Sequence, residues 1–444
     1  MIATNIARHD YARSPVPLSE RRSWIPITLI WMGVGIDLSG VALGSALAQG
    51  MSLGNVIIAV VIGSFILGIL AALCSVIGAR TGLSMGMIVR FTFGEWGNRL
   101  VLLAMLIVGF GWFGVQTGLF GYAANAAISG AIGVEISAQW LTIVGGLLMT
   151  LTATLGYIAI ERLSVVAIPF VITLLGYLLF HVFSHSEIRQ TMWEAPAGGG
   201  LGLGMGISLV ISGWVMGTFL ADVARWARST RDAALSGFFG FFIGNMIMLL
   251  LATSLVHLMG TDDVIIVMIS TGMGTFVVLF LLLAQWTTND NALYSLGLVM
   301  ASMVRSIPKP VLCIVAGLAG TTLGFLGIAD NFTTFLTYIT PFTAPIGGIY
   351  LVEYFLINPS RFHFAFAKTP KIPALVWHTM LVWAAGAFVA FATTPDLLGW
   401  FALTHVPALD AGLVAAALHL MIGKFLGRLR KKEDSSSQEE SAST

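Results

Sequence analysis

Six polar side chains crowd the stretch from Gln285 to Asn291: Gln285, Thr287, Thr288, Asn289, Asp290 and Asn291. They interrupt LAQWTTNDNALYSLG, part of an apolar run long enough to be a membrane helix. Each such group is costly in hydrocarbon, so a cluster of them faces a bundle interior or a water-filled path. The adjacent threonines put two hydroxyl oxygens on one helix turn, which suits a hard monovalent cation that also takes backbone carbonyls. A single hydroxyl or amide is explained as well by hydrogen bonds that glue helices together. Six in one stretch point to a site.

Asp37 adds a carboxylate in the middle of another apolar run that holds no basic residue. An unpaired charge there must be protonated, ion-bound or aimed at hydrogen-bond donors; the plainer role is to cap a broken helix. Trp112 and Gln116 stand four apart and share one helix face. An indole offers a flat stacking surface and an amide offers both donor and acceptor, a pairing suited to a planar heterocycle. Gly109, Gly111 and Gly114 clear space around Trp112. Trp214 lies in another glycine-rich run and can supply the opposite stacking face. Asp222 with Arg225 and Arg228 reads as a solvated charged rim, and Glu161–Arg162 and Glu353 as inner helix ends.

Elements able to position these groups follow from hydropathy. Apolar residues make up 57% of the chain and charged residues 10%. Apolar runs of roughly 20 residues, enough to cross the hydrocarbon core, recur throughout. The reading is an all-α polytopic membrane protein with twelve spans. These are Ile25–Ala48, Val56–Gly78, Leu100–Ile128, Trp140–Ile160, Leu163–Phe183, Leu203–Val223, Leu235–His257, Thr275–Val299, Val311–Ile328, Phe332–Ile357, Ala374–Thr394 and Trp400–Phe425. With both termini cytoplasmic, every one of the 22 Lys and Arg residues except Arg189 falls on the inner side. Inventing or missing one span would switch the sides of all later charges, so this asymmetry supports both count and orientation. The N-terminus lacks a signal peptide's apolar segment. The first twenty residues and the acidic, serine-rich end after Lys432 read as disordered. The stretches Thr81–Asn98 and Met259–Gly274 read as short helices along the bundle.

Internal symmetry is visible as well. WMGVGIDLSGVALGS from Trp31 and ISGWVMGTFLAD from Ile211 are both glycine-interrupted around a polar residue, and they lie five spans apart. Five is odd, so the two copies cross the membrane in opposite directions. Such paired broken spans mark transporters built from inverted repeats around a midplane site, although glycines also serve close helix packing. Cys74 and Cys313 lie in apolar runs and read as core residues. The eight histidines show no ligand spacing. No phosphate-binding loop, ATPase segment or nucleophile with its base appears, so the reading is not an enzyme, and transport would run on an ion gradient.

Several segments together resemble the nucleobase–cation symport-1 family, and within it the bacterial cytosine permeases. They are GARTGLSMGMIVRFTFG from Gly78, GWFGVQTG from Gly111, GTFLADVARWAR from Gly217, WTTNDNALY from Trp286 and PIGGIYLVEYF from Pro345. The likeness runs from PVPLSERR at Pro15 to the last span. It implies a leucine-transporter-type core of five plus five inverted helices with two peripheral ones. Residues 1–24 would then be a cytoplasmic N-terminal segment, 25–183 and 203–357 the two repeats, 374–425 the peripheral helices and 433–444 a cytoplasmic tail. It implies a sodium ion held by the Thr287 and Thr288 hydroxyls with carbonyls near Gly33, Ile36 and Ala284. It also implies substrate contacts from Trp112, Gln116, Gly213, Trp214 and Asn289, with Asp37 facing the same pocket. Cytosine permeases tend to carry glycine at the Gln116 position, an aromatic at Gly213 and no carboxylate at Asp37. Gln116 and Trp214 look instead like the hydantoin-transporting branch.

The sequence reading is therefore a bacterial inner-membrane importer of a planar nucleobase-like heterocycle, such as cytosine or a related aminopyrimidine, by sodium symport. It foresees no organic cofactor, nucleic acid or obligatory protein partner. Its rivals are a proton-coupled carrier of another nucleobase, hydantoin, allantoin or hydroxymethylpyrimidine, and a passive facilitator.

Overall fold

The computed structural model describes residues 10–185, 193–194, 200–212, 219–259, 274–367 and 372–442, with the side chains of 428–442 outside the description. Among these residues the chain is helical and has no β-strand. In chain order the helices are α1 (Trp24–Gly35), α2 (Leu38–Gly50), α3 (Leu53–Thr81), α4 (Met85–Ile132), α5 (Ala138–Thr154), α6 (Tyr157–His185) and α7 (Leu203–Ser212). They continue with α8 (Leu220–Ala224), α9 (Thr230–Met259), α10 (Gly274–Met303), α11 (Lys309–Phe325), α12 (Phe332–Val352), α13 (Trp377–Thr393) and α14 (Pro407–Ala442). Six of the described helices are long and apolar enough to cross a membrane, and α1 with α2 makes a further bent pair. The shorter α5, α11 and α13 are apolar as well. The chain is a multi-pass membrane protein.

Glycine and capping chemistry place the breaks. After Gly33 and Gly35, Ile36 and Asp37 take non-helical backbone angles, and α2 restarts at a 49° bend. Asp37 is the N-cap of α2, accepting from the Gly40 N–H at 2.9 Å and so satisfying one orphan amide of that helix. Within α4 the backbone leaves helical geometry at Gly94, which sets off Met85–Phe93 as a short helix where the sequence suggested one. The fourth span ends earlier than Ile160. Helix α5 stops at Thr154, and Gly156 takes a left-handed turn (φ 86°) that few side chains tolerate.

Helix α9 packs along α3, α1 and α2, while α10 packs along α4, α6 and α1. The broken first span is thus clasped between α9 and α10. Helices α13 and α14 pack chiefly on α12 and on each other, outside that core.

Three sequence expectations change here. Residues 10–23, of which those up to 20 read as disordered in the sequence, lie packed across one end of the bundle. Arg13 donates to the Ala301 carbonyl of α10 at 3.0 Å and to that of Val304 just past its end at 3.1 Å, and Arg21 donates to the Ala79 carbonyl of α3 at 2.6 Å. Asp10 forms a 2.6 Å ion pair with Lys309 at the start of α11, both side chains buried. Asp222 and Arg225 are not a solvated rim but fully buried. Arg225 donates to the Asp10 and Tyr11 carbonyls and to the Tyr294 hydroxyl at 2.7–2.9 Å, and Asp222 accepts from the Met85 N–H at 2.8 Å. The polar composition of the segment hid this, because its arginines are satisfied by carbonyls at distant helix ends rather than by water. Burial beside Arg225 also pulls the Arg21 guanidinium below its ordinary pKa. At the other terminus, the stretch after Lys432 continues α14 as helix to Ala442; extending a helix already nucleated needs one backbone bond per residue and no packed face. Met259–Gly274 lies almost wholly outside the described residues.

Candidate substrate and cation site

Helix α10 brings its polar stretch against the break between α1 and α2. Gln285 is the joint. Its amide nitrogen donates to the backbone carbonyl and the side-chain oxygen of Gln116, both at 2.8 Å, and its oxygen accepts from the Leu38 N–H at 2.9 Å. Gln116 in turn donates to Asp37 Oδ2 at 2.5 Å, and Ser39 donates to Asp37 Oδ1 at 2.7 Å. The result is a closed ring, Asp37–Gln116–Gln285–Leu38, every member of it buried. Three donors converge on the Asp37 carboxylate: the Ser39 hydroxyl, the Gly40 amide and the Gln116 amide. The carboxylate is therefore a helix cap satisfied without a basic partner. The sequence reading named Gln285 in the polar stretch but gave it no role. Its place one turn before Asn289 on the same helix was the available signal.

One turn along α10, oxygens gather at the end of α1. The Thr288 hydroxyl lies 2.7 Å from the Gly33 carbonyl oxygen and 3.0 Å from that of Ala284, and the Thr287 hydroxyl lies 2.8 Å from the same Ala284 oxygen. Glycine at 33 permits this approach, since a Cβ there would stand 2.9 Å from Ile168 and 3.1 Å from the Thr287 hydroxyl. At Ile36 the backbone has already left the helix (φ −108°, ψ 81°). Four of the five residues expected to hold the cation thus lie in contact, and Ile36 sits on the break beside them. All the donors are neutral oxygens, the kind a hard cation takes. No cluster of three His, Cys, Asp or Glu side chains occurs among the described residues.

Trp112 is buried one turn before Gln116 on α4, with its ring 6.1 Å from that of Phe332 and 6.5 Å from that of Phe335 at the start of α12. Asn289 donates to the Phe113 carbonyl at 3.4 Å and to the Met149 sulfur at 3.2 Å, while its side-chain oxygen finds no partner. Gly213 and Trp214 lie outside the described residues. Asp290 turns away from the ring toward α5, accepting from the Thr152 hydroxyl at 2.6 Å, and Asn291 donates back to the Thr287 carbonyl at 3.0 Å.

Comparison with known proteins identifies the lineage. The chain is 31% identical over 380 residues to the cytosine permease of Escherichia coli (strain K12), covering 85% of this chain and 88% of that protein. It is 23% identical over 435 residues to the hydantoin permease of Microbacterium maritypicum, covering 90% and 88%. In fold it resembles Mhp1, a nucleobase-cation-symport-1 family transporter in a closed conformation with bromovinylhydantoin bound, with a TM-score of 0.81 at 19% identity over 94% of this chain and 96% of that one. A Na+-coupled sialic acid symporter also matches, with a TM-score of 0.69 at 10% identity over 96% and 94%. Residues 15–404 match the family model described as "Permease for cytosine/purines, uracil, thiamine, allantoin", and the chain belongs to that family, a transporter rather than an enzyme.

Proposed function

We propose that this permease imports a cytosine-like aminopyrimidine together with sodium across a bacterial inner membrane, by alternating access through twelve spans with both termini cytoplasmic. Spans one to five and six to ten form the inverted repeats over 25–183 and 203–357, and α13 and α14 within 374–425 are peripheral. The substrate stacks on Trp112, with Trp214 on its other face beside Gly213. Its amino and ring N–H groups meet Asp37, Gln116 and the unpartnered oxygen of Asn289. Sodium replaces the hydroxyl hydrogen bonds that now join Thr288 to Gly33 and Ala284, with the Thr287 hydroxyl and the Ile36 carbonyl completing its shell. The observation that carries this reading is the 2.7 Å approach of Thr288 to Gly33. It lets one ion tie the broken first span to α10, so occupancy shifts the balance between outward- and inward-open forms.

Proteoliposomes test the proposal. Labelled cytosine should accumulate against its gradient when sodium is imposed outside, and should only equilibrate when choline replaces it. Accumulation driven by an imposed proton gradient in the absence of sodium would overturn the coupling, and equilibration under every gradient would leave a facilitator. A hydantoin is the second reading, favoured by the likeness to a hydantoin permease and to Mhp1 with bromovinylhydantoin bound. Competition between cytosine and hydantoins for uptake decides between them.

A further inference from the structure

A polar cavity of about 700 Å³ opens at the bundle end where the N-terminal segment lies, apart from the ring around Asp37. Arg13, Arg90, Arg99 and Arg305 line it, and Glu95 is the one carboxylate among its lining residues. Glu95 is engaged by Arg90. Arg13 spends its donors on carbonyls at and just beyond the end of α10 but keeps its charge. Arg305 lines the same cavity as Arg90, so their like charges face one space. Among the described residues that line it, the cavity therefore sets four arginines against one carboxylate. It also holds the buried side-chain oxygen of Asn98, which has no hydrogen-bond donor.

These features specify a ligand with two parts: an anion for the guanidinium groups, and a hydroxyl donor for Asn98. Guanidinium groups match phosphate oxygens in pairs. The mouth of the cavity indicates the source. Arg99 lies 4.4 Å over the ring of Trp96, and Trp96, Leu100 and Leu103 run from there along α4 as exposed apolar side chains. That is the arrangement of a helix meeting lipid at the headgroup level. We infer that this cavity binds the headgroup of an anionic phospholipid with a hydroxylated headgroup, of the phosphatidylglycerol type, its phosphate on Arg90, Arg99 and Arg305 and its hydroxyl on Asn98. A zwitterionic headgroup would bring an ammonium into the arginine cluster and be disfavoured.

Full-length protein purified in detergent tests this, by native mass spectrometry and thermal shift with added short-chain phosphatidylglycerol, phosphatidylcholine or soluble glycerol 1-phosphate. Phosphatidylglycerol should bind at least tenfold more tightly than phosphatidylcholine. The double variant Arg99→Gln/Arg305→Gln should erase most of that preference. Both side chains are exposed, so the variant should melt at the wild-type temperature without lipid; if it does not, Arg305→Gln alone serves, with at least a threefold loss expected. Equal retention of phosphatidylglycerol by wild type and variant would overturn the assignment. So would a stabilisation by glycerol 1-phosphate as large as that by the lipid, which would make the site one for a free anion.

Discussion

The Gln116 amide sits 2.5 Å from Asp37 Oδ2 while its own oxygen and backbone carbonyl are held by Gln285. A carboxylate from the broken first span, an amide from α4 and an amide from α10 are thereby locked into one ring. Three segments far apart in the chain meet there, so the ring reports on each.

Removing the joint should be costly. Gln285→Leu leaves the Leu38 N–H and the Gln116 oxygen buried without partners, at about 1–3 kcal/mol for each unsatisfied group. The expected outcome is a lower melting temperature of the purified protein and at least tenfold weaker substrate binding, both read in one thermal-shift series.

Asp37 separates capping from recognition. Asparagine caps helices about as well as aspartate, so Asp37→Asn should keep α2 in place, and the two buried donors it opposes should cost about 1–3 kcal/mol. It exchanges an acceptor for a donor opposite Gln116, and uptake of an aminopyrimidine should fall at least tenfold. Unchanged uptake would make Asp37 a cap alone.

Thr288 should govern ion affinity without governing the fold. Thr288→Ala removes an oxygen that meets Gly33 and Ala284, and the sodium concentration for half-maximal uptake should rise about tenfold, an effect of about 1.4 kcal/mol. Thr288→Ser keeps the hydroxyl and should stay within about twofold of wild type.

The buried pair Asp10–Lys309 anchors the N-terminal segment. Lys309→Met strands the Asp10 charge and should destabilise by about 3–5 kcal/mol, whereas Asp10→Asn/Lys309→Met should recover most of that loss. Thermal unfolding of the two variants measures the coupling.

Much of this was legible in the sequence because membrane burial makes polarity informative. The helix break at Ile36–Asp37 follows from its glycines, and the cluster from Gln285 to Asn291 announced itself by its cost in hydrocarbon. What stayed hidden were pairings set by tertiary approach alone. Gln285 carries no sign that it will reach Leu38 and Gln116, each more than 160 residues away in the chain. Asp222 and Arg225 sit where a span meets water, and contacts with Met85, Tyr294 and the segment from Asp10 make them interior. Asp290 was equally conspicuous as sequence, yet it serves the contact with α5.

The most direct measurement of the central claim is calorimetric titration of cytosine and a hydantoin into the purified protein, in sodium and in choline. If one ion ties the broken first span to α10 beside the substrate pocket, at least one of the two ligands should bind at least tenfold more tightly in sodium, and its presence should tighten sodium binding by the same factor. Equal affinity in both salts for every ligand that binds would contradict it.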